Sequence, residues 1–290
     1  MANPALMDNL LRLLVLALGL SVGSFLNVVI HRLPRPGLNL ARPRRSFCPV
    51  CGAPIRWFDN LPVLSWLRLR ARCRDCRKPI PIRYPLVELA SGLLALHLFN
   101  LYGLSPAGLI KFYILLCLLA IALIDLELMI IPVELMYPAT GLSLLSAWAY
   151  PDPALAGPWL WLWLEPEFGP RPASLAGGAM GLALGWGALK AVAAAYRKAR
   201  GHEGLGDGDP PLLGLLGAFL GWQALPLVVL WSSVIGLVSV AGLITFSRRA
   251  KPAGGWGLHP LPFGPFLVLA ALLYLFFGQT FLRWYWSLGG

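Results

Sequence analysis

Charge is what this chain has least of. Only 13% of its 290 residues are Asp, Glu, Lys or Arg, against 58% hydrophobic residues. That balance excludes a soluble globule, in which roughly a quarter of the residues are charged. Acids are scarcest, thirteen against twenty-four Lys and Arg. Histidine is nearly absent: His31, His97, His202 and His259 are scattered singly, and lone histidines more often pack or hydrogen-bond than bind a metal. No internal repeat is evident. The first apolar stretch has only a weak charged start, Asp8 and Arg12, and no small-residue cleavage site. It is expected to stay as a helix rather than be removed.

What the chain has instead is long apolar runs. About 20 such residues cross a bilayer as a helix. Eight spans are predicted, near 10–30, 86–103, 106–125, 131–150, 174–196, 210–228, 229–247 and 262–284. The sixth and seventh form one run, divided near "WQALP" because a single helix of that length would overshoot the membrane. The expected fold is an all-α polytopic membrane protein of about eight transmembrane helices. A small loop domain, 31–85, separates the first helix (1–30) from the membrane core (86–290). The segment 151–172, with Trp159, Trp161 and Trp163 among leucines, reads as an aromatic belt or interfacial stretch on the outer side.

The formal net charge is +11, and it is unevenly spread. Loop 31–85 holds thirteen Lys and Arg against Asp59 and Asp75. Lys190, Arg197, Lys198 and Arg200 close the fifth span, and Arg248, Arg249 and Lys251 follow the seventh. The positive-inside rule puts 31–85, 125–131, 197–209 and 248–261 in the cytoplasm. Topology and anionic lipid account for these arginines without nucleic acid, which is not expected as a partner.

Loop 31–85 also carries four of the five cysteines. Cys48 and Cys51 form "CPVC"; Cys73 and Cys76 form "CRDC", twenty-one residues on. Two C-x2-C knuckles at that spacing close a tetrahedral thiolate site for zinc. A reducing cytoplasm argues against disulfides. Four thiolates leave no open coordination position, so the zinc is expected to be structural and to organise a loop with little apolar core. Cys117 lies within a span and reads as a small packing residue.

Two acids sit at the edges of apolar runs. Asp125 ends "GLIKFYILLCLLAIALID", and Asp209 opens "DPPLLGLLGAFLGWQALPLVVL" after the glycine-rich "EGLGDG". A carboxylate there is a functional candidate by default. The charge pattern puts both on the cytoplasmic side. Two carboxylates sharing a proton can cut a peptide bond, one activating water while the other protonates the carbonyl oxygen. Glu127 is two positions from Asp125 and faces elsewhere on a helix. On spacing, Asp207 and Asp209 both end a G-x-G-D; Asp209 is nearer the helix start, where Pro210 and Pro211 suit the first turn. The bland alternatives are a helix cap for Asp209 and a backbone-bonded loop edge for Asp125.

Together these residues resemble the type IV prepilin peptidase family. The resemblance lies in "GSFLNVVIHRLP" (23–34), "CPVCGAPIRWFDNLPVLSWLRLRARCRDCRKPIPIRYPLVELASG" (48–92), "LIDLELMIIP" (123–132), "EGLGDGDPPLLGLLGAFLGW" (203–222) and "LPFGPFLVLAALL" (261–273). It implies a membrane aspartic endopeptidase that removes the basic leader of prepilins or pseudopilins, of type IV pili or type II secretion, at the cytoplasmic face of the bacterial inner membrane. Cleavage falls after a glycine, usually before Phe. The family's spacing from its second aspartate to "LGAFLGW" fits Asp209, eight residues before Gly217. Gly206, Asp207, Gly208 and Asp209 are then the G-x-G-D, with Asp125 and Asp209 catalytic. Two positions depart from the family: Pro211 stands where Lys is common, and Val133, with Glu134 next, where an acid often follows the proline.

The resemblance also implies N-methylation of the new amino terminus with S-adenosylmethionine. No G-x-G-x-x-G fingerprint marks a site for that donor, and the zinc loop with its neighbour Glu88 is the place to look. The basic leader would be held by Glu127, Glu134, Glu203, Asp207 or lipid headgroups. The alternative from another class is a cation- or proton-coupled transporter, since aspartates at broken helices also serve transport. A third is a non-catalytic scaffold built on the zinc loop.

Overall fold

The computed structural model describes residues 4–38, 40, 46–201, 206–246 and 262–287. His202, Glu203, Arg248, Arg249, Lys251 and His259 lie outside the described residues. Within them the fold is all-helical, with no strand and two isolated bridges in the cysteine loop. The α-helices are α1 (Pro4–Arg32), α2 (Leu64–Arg68), α3 (Arg83–Tyr102), α4 (Pro106–Leu128), α5 (Val133–Ala149), α6 (Pro153–Phe168), α7 (Pro170–Arg200), α8 (Asp209–Leu220), α9 (Leu225–Phe246) and α10 (Gly264–Ser287). Each of the eight expected spans is met by one of them. Five stretches, on α1, α3, α4, α7 and 222–242, are long and apolar enough to cross a membrane by themselves. The chain is thus a multi-pass membrane protein.

Two differences from expectation have local causes. The long apolar run breaks at Gly221, with φ 86°, followed by a single 3-10 turn at Trp222–Ala224. That is earlier than the predicted break, because the left-handed glycine rather than the following proline ends α8. The Trp-rich segment is a helix, α6, kinked at Gly157 and started by Asp152, whose carboxylate accepts from the Ala154 amide at 2.9 Å. Trp159 and Trp163 remain exposed on it.

The chain forms two compact units, Met1–Leu116 and Cys117–Gly290, and the boundary falls within α4. In the first, α1 packs along α3. Lipid offers no hydrophobic drive for such pairing, so small residues and buried hydrogen bonds do the work. Ser91 Oγ donates to Gly19 O at 2.7 Å, and Asn27 Nδ2 to Tyr84 O at 3.1 Å. In the second, α8 is the buried centre, packed on α7 and α5. Leu212, Leu213, Leu215 and Leu216 are fully enclosed. Its twelve residues span roughly 18 Å, too short to cross a bilayer. A short broken helix is stable in a membrane when protein surrounds it.

Candidate active site and metal centre

Asp125 lies in the last turn of α4, and Asp209 is the first residue of α8. They are 5% and 6% exposed. The two carboxyl groups are near enough for the charge of one to act on the other. Glu127 is exposed, as a two-residue step around a helix requires.

Asp209 is held by the glycine turn before it. Its amide donates to Gly206 O at 3.2 Å, and the Gly206 amide donates to Asp209 Oδ2 at 3.1 Å. The cap of α8 is Gly208, and the Asp209 carboxylate turns back to the turn instead of to the first helical amides. Asp207 is exposed. A Cβ on Gly208 would stand 2.8 Å from Ile131 Cβ; only glycine lets this turn close against the chain that follows Asp125.

A third element completes the pocket. A Cβ on Gly264, the first residue of α10, would lie 2.5 Å from Asp125 Oδ2 and 3.4 Å from Leu212 Cδ2. The Gly264 amide donates towards the Asp125 carboxyl group. Oδ2 itself is buried without a hydrogen-bond partner among the described residues. Gly264 is the residue that sequence reasoning missed. Its signal was "FGP" ahead of an apolar run, where a glycine before proline marks a backbone approached closely.

The four cysteines meet as their spacing predicts. Their sulfurs all lie within 4.8 Å of one another, a cluster that can hold a metal ion. Each knuckle is built by the same bonds. Cys48 N donates to Ala53 O, Gly52 N to Cys48 O and Ile55 N to Ser46 O; Cys73 N donates to Lys78 O, Arg77 N to Cys73 O and Ile80 N to Ala71 O. The bridges Phe47–Pro54 and Arg72–Pro79 close both. This twenty-five-residue internal repeat corrects the reading that the chain has none. Its sequence trace is C-x2-C-x2-P-I, at Cys48–Ile55 and Cys73–Ile80. Burial opposes the Cys48 thiolate, but the amides of Cys51 and Val50 and the neighbouring thiols outweigh it and lower the pKa to about 7, while the same neighbouring thiols push Cys51 up to about 11. One thiolate forms readily here, and gathering all four needs a bound cation.

Asp59 braces this loop. Its buried carboxylate accepts from Arg74 Nε at 2.7 Å and from a terminal nitrogen at 2.6 Å, and from Arg68 at 3.2 Å. The Arg74 hydrogen bonds hold it below the usual carboxylate range. Glu88 on α3 is also buried, and its Oε2 accepts from the Val63 amide at 2.7 Å.

The arrangement is that of a multi-pass membrane protein with a buried carboxylate pair and a separate thiolate cluster. The chain matches the bacterial peptidase A24 N-terminal domain over residues 17–102 and the type IV leader peptidase family over residues 112–241. It is 41% identical to a prepilin leader peptidase/N-methyltransferase of Burkholderia pseudomallei strain 1026b, covering 95% of this chain and 87% of that one. It is 36% identical to one of Aeromonas hydrophila (94% and 92%) and 35% identical to one of Pseudomonas aeruginosa (96% and 94%). No solved structure matches. This chain belongs to the type IV leader peptidase family. Membership of a peptidase family leaves the transporter reading without support.

Proposed function

We propose that this protein is a membrane aspartic endopeptidase that removes the basic leader of prepilins or pseudopilins, and that it also methylates the amino terminus so exposed. The observation that carries the peptidase reading is the buried pair Asp125 and Asp209, brought together from residues eighty-four apart. One carboxylate takes a proton from water as it attacks the scissile carbonyl, and the other gives a proton to the carbonyl oxygen. The roles then reverse as the leaving amine is protonated. Asp125 Oδ2, without a hydrogen-bond partner among the described residues, supports a group waiting for substrate or water. Gly206, Asp207 and Gly208 form the turn that holds Asp209.

Cys48, Cys51, Cys73 and Cys76 bind structural zinc, a fit supported by four sulfurs at mutual reach and by two knuckles built with the same backbone bonds. Bound zinc supplies cross-links to loop 31–85 and no catalysis. The relatives' names support S-adenosylmethionine as methyl donor; when bound, it supplies a methyl carbon to the amine lone pair while its sulfur keeps the bonding electrons and the amine releases a proton. The membrane is the bacterial inner one, a reading supported by the family and its bacterial relatives, and the clustering of basic residues supports a cytoplasmic face for the loop and the aspartates.

The deciding experiment incubates purified full-length protein with a prepilin in detergent. Loss of the leader on a gel, followed by mass measurement of the product's first residue, reads both activities. A product mass without the added methyl refutes the methylation reading alone; an intact prepilin refutes the protease.

A further inference from the structure

The segment that joins the two knuckles carries large apolar side chains that stand exposed among the described residues. Trp57 is 80% exposed, Leu64 65%, Leu67 59% and Leu61 43%. All four fall within eleven residues, on the 3-10 turn Trp57–Asp59, on α2 and between them. Turn and helix form one surface. Phe58 meets Trp57 edge to face at 5.6 Å, and Arg68 of α2 lies over the Phe58 ring at 5.4 Å. Leu64 and Leu67, three apart, share a side of α2. Single exposed leucines need no explanation, but a gathered set with a tryptophan marks an interaction surface.

Two hydrogen bonds fix the depth of this surface. The Val63 amide donates to Glu88 Oε2 at 2.7 Å, and Trp66 Nε1–H donates to Ile80 O at 3.1 Å, just ahead of α3. Val63 keeps its bond with φ 60° and ψ −49°, backbone that is strained for a β-branched residue. Glu88 is five residues into α3 and so roughly 8 Å along its axis. α3 is long and apolar enough to cross a membrane. It opens with Arg83 and Tyr84, a cation and an aromatic of the kinds that gather at the water interface. Interfacial segments sink about 5–10 Å into that boundary. The bond to Glu88 holds the surface in the same zone.

Charge selects the partner. Residues 56–74 contain five arginines and one acid, Asp59. Asp59 is taken by Arg74 and Arg68. Arg56, Arg70 and Arg72 are exposed, with no other acid in this stretch to face. We propose that Trp57, Leu61, Leu64 and Leu67 dock the cysteine loop on anionic phospholipid of the leaflet beside it. The apolar side chains enter between headgroups while the arginines meet phosphates, the division of labour of an interfacial anchor. An acidic protein surface would satisfy the arginines equally well, but it would not account for a depth set by the start of a membrane helix. The proposal rests on the membrane reading of α3 and on neither enzymatic activity.

The test places the purified full chain in nanodiscs of phosphatidylcholine, alone or mixed in equal parts with phosphatidylglycerol, whose acyl chains carry bromine near the headgroup. Subtracting Trp57→Phe from wild type isolates the emission of Trp57. In the anionic discs bromine should quench most of that emission, and iodide in the water should quench little of it. Leu64→Glu combined with Leu67→Glu, measured with and without Trp57→Phe, should reverse the two. If gel filtration shows that this variant has not folded, Arg70→Gln combined with Arg72→Gln decides, and should lower the bromine quenching in the anionic discs alone. Wild-type Trp57 emission that is open to iodide and untouched by bromine overturns the docking. Shielding from both quenchers, in discs and in detergent alike, overturns it in favour of a protein cover. Equal bromine quenching in the two lipids overturns the choice of an anionic headgroup.

Discussion

The backbone of Gly264 lies against the carboxylate of Asp125, so closely that a methyl group placed on it would stand 2.5 Å from Oδ2. The Asp125 side chain cannot swing away freely, because it is itself buried and Leu212 closes on the same Gly264 position. Gly264→Ala should therefore displace the reacting oxygen while leaving the metal loop alone. A misplacement near 1 Å can cost on the order of a hundredfold in rate. The expected result is a loss of that size in leader cleavage with bound metal unchanged. Wild-type kcat/KM in this variant would remove Gly264 from the site.

Asp125 and Asp209 act as one unit if they share a proton, and units of that kind are not additive. Asp125→Asn and Asp209→Asn should each abolish cleavage, by about a thousandfold or more. The double substitution should be no worse than either alone. A gel-shift time course at high enzyme concentration measures all three. Independent losses that multiply would point to two separate roles. Substantial cleavage by either single variant would end the aspartic assignment.

Much of this site was legible in the sequence because its parts are local. Apolar runs give spans, C-x2-C pairs give knuckles, and an acid at the end of a run is conspicuous by its cost. Gly264 was not legible as a site residue, since its contact is with a side chain 139 positions earlier and no helical period reports such a distance. The repeat of the knuckles was hidden because hydrogen bonds carry it and only the cysteines, Pro54, Pro79, Ile55 and Ile80 echo it in composition. The Val63–Glu88 bond joins a strained loop to a helix, and neither partner's neighbours announce it. The end of α8 fell ahead of the predicted break because membrane thickness sets a length and not a residue, whereas Gly221 ends the helix.

The two knuckles differ at four equivalent positions between Cys48–Ile55 and Cys73–Ile80, and one of these takes left-handed backbone in both. Gly52 and Arg77 both take left-handed backbone, with φ 71° and 58°. Gly does so freely, whereas other residues give up about 1–2 kcal/mol. Nothing crowds the Cβ position at Gly52, so Gly52→Ala tests the backbone alone. It should lower the stability of the metal-bound loop by about 1 kcal/mol, and Arg77→Gly should raise it by a similar amount. Resistance of bound metal to a chelator, followed over time, gives the ranking. The reverse order would show that the metal, not the turn, sets the strength of the knuckles.

Asp59 adds a pH dependence outside the membrane segments. Its folded pKa is depressed, first by the Arg74 hydrogen bonds. Its contribution is therefore present above the ordinary carboxylate value of about 4 and is lost as pH falls through the lower folded value. Asp59→Asn should weaken the loop at pH 7, and the gap to wild type should close below about pH 4. Tryptophan fluorescence of the loop, which holds Trp57 and Trp66, follows this. A gap that persists unchanged in acid would mean that Asp59 works by shape and not by charge.

The basic leader proposed above would approach a chain of formal net charge +11, so the local acids matter more than the net charge. Glu127, Glu134 and Asp207 are all exposed, and each is within nine residues of Asp125 or Asp209; Glu203 lies outside the described residues. Exposed charge pairs contribute roughly 0.2–1 kcal/mol each, so neutralising one acid should raise KM for a leader-bearing substrate by at most about fivefold, and reversing it, which adds a repulsion of similar size, by more. Reversing all three should compound the effect, because sites this exposed act nearly independently. The kcat should hold for the reversals at Glu127 and Glu134, which lie outside the turn that holds Asp209, and the rise in KM should shrink in high salt as screening removes the attraction. Substrates whose leader lysines are replaced by glutamine should be indifferent to the same reversals. Equal KM for basic and neutral leaders on the wild-type enzyme would show that leader charge has no part in capture, whereas a charge-dependent KM that all three reversals leave unmoved would assign capture to anionic lipid headgroups.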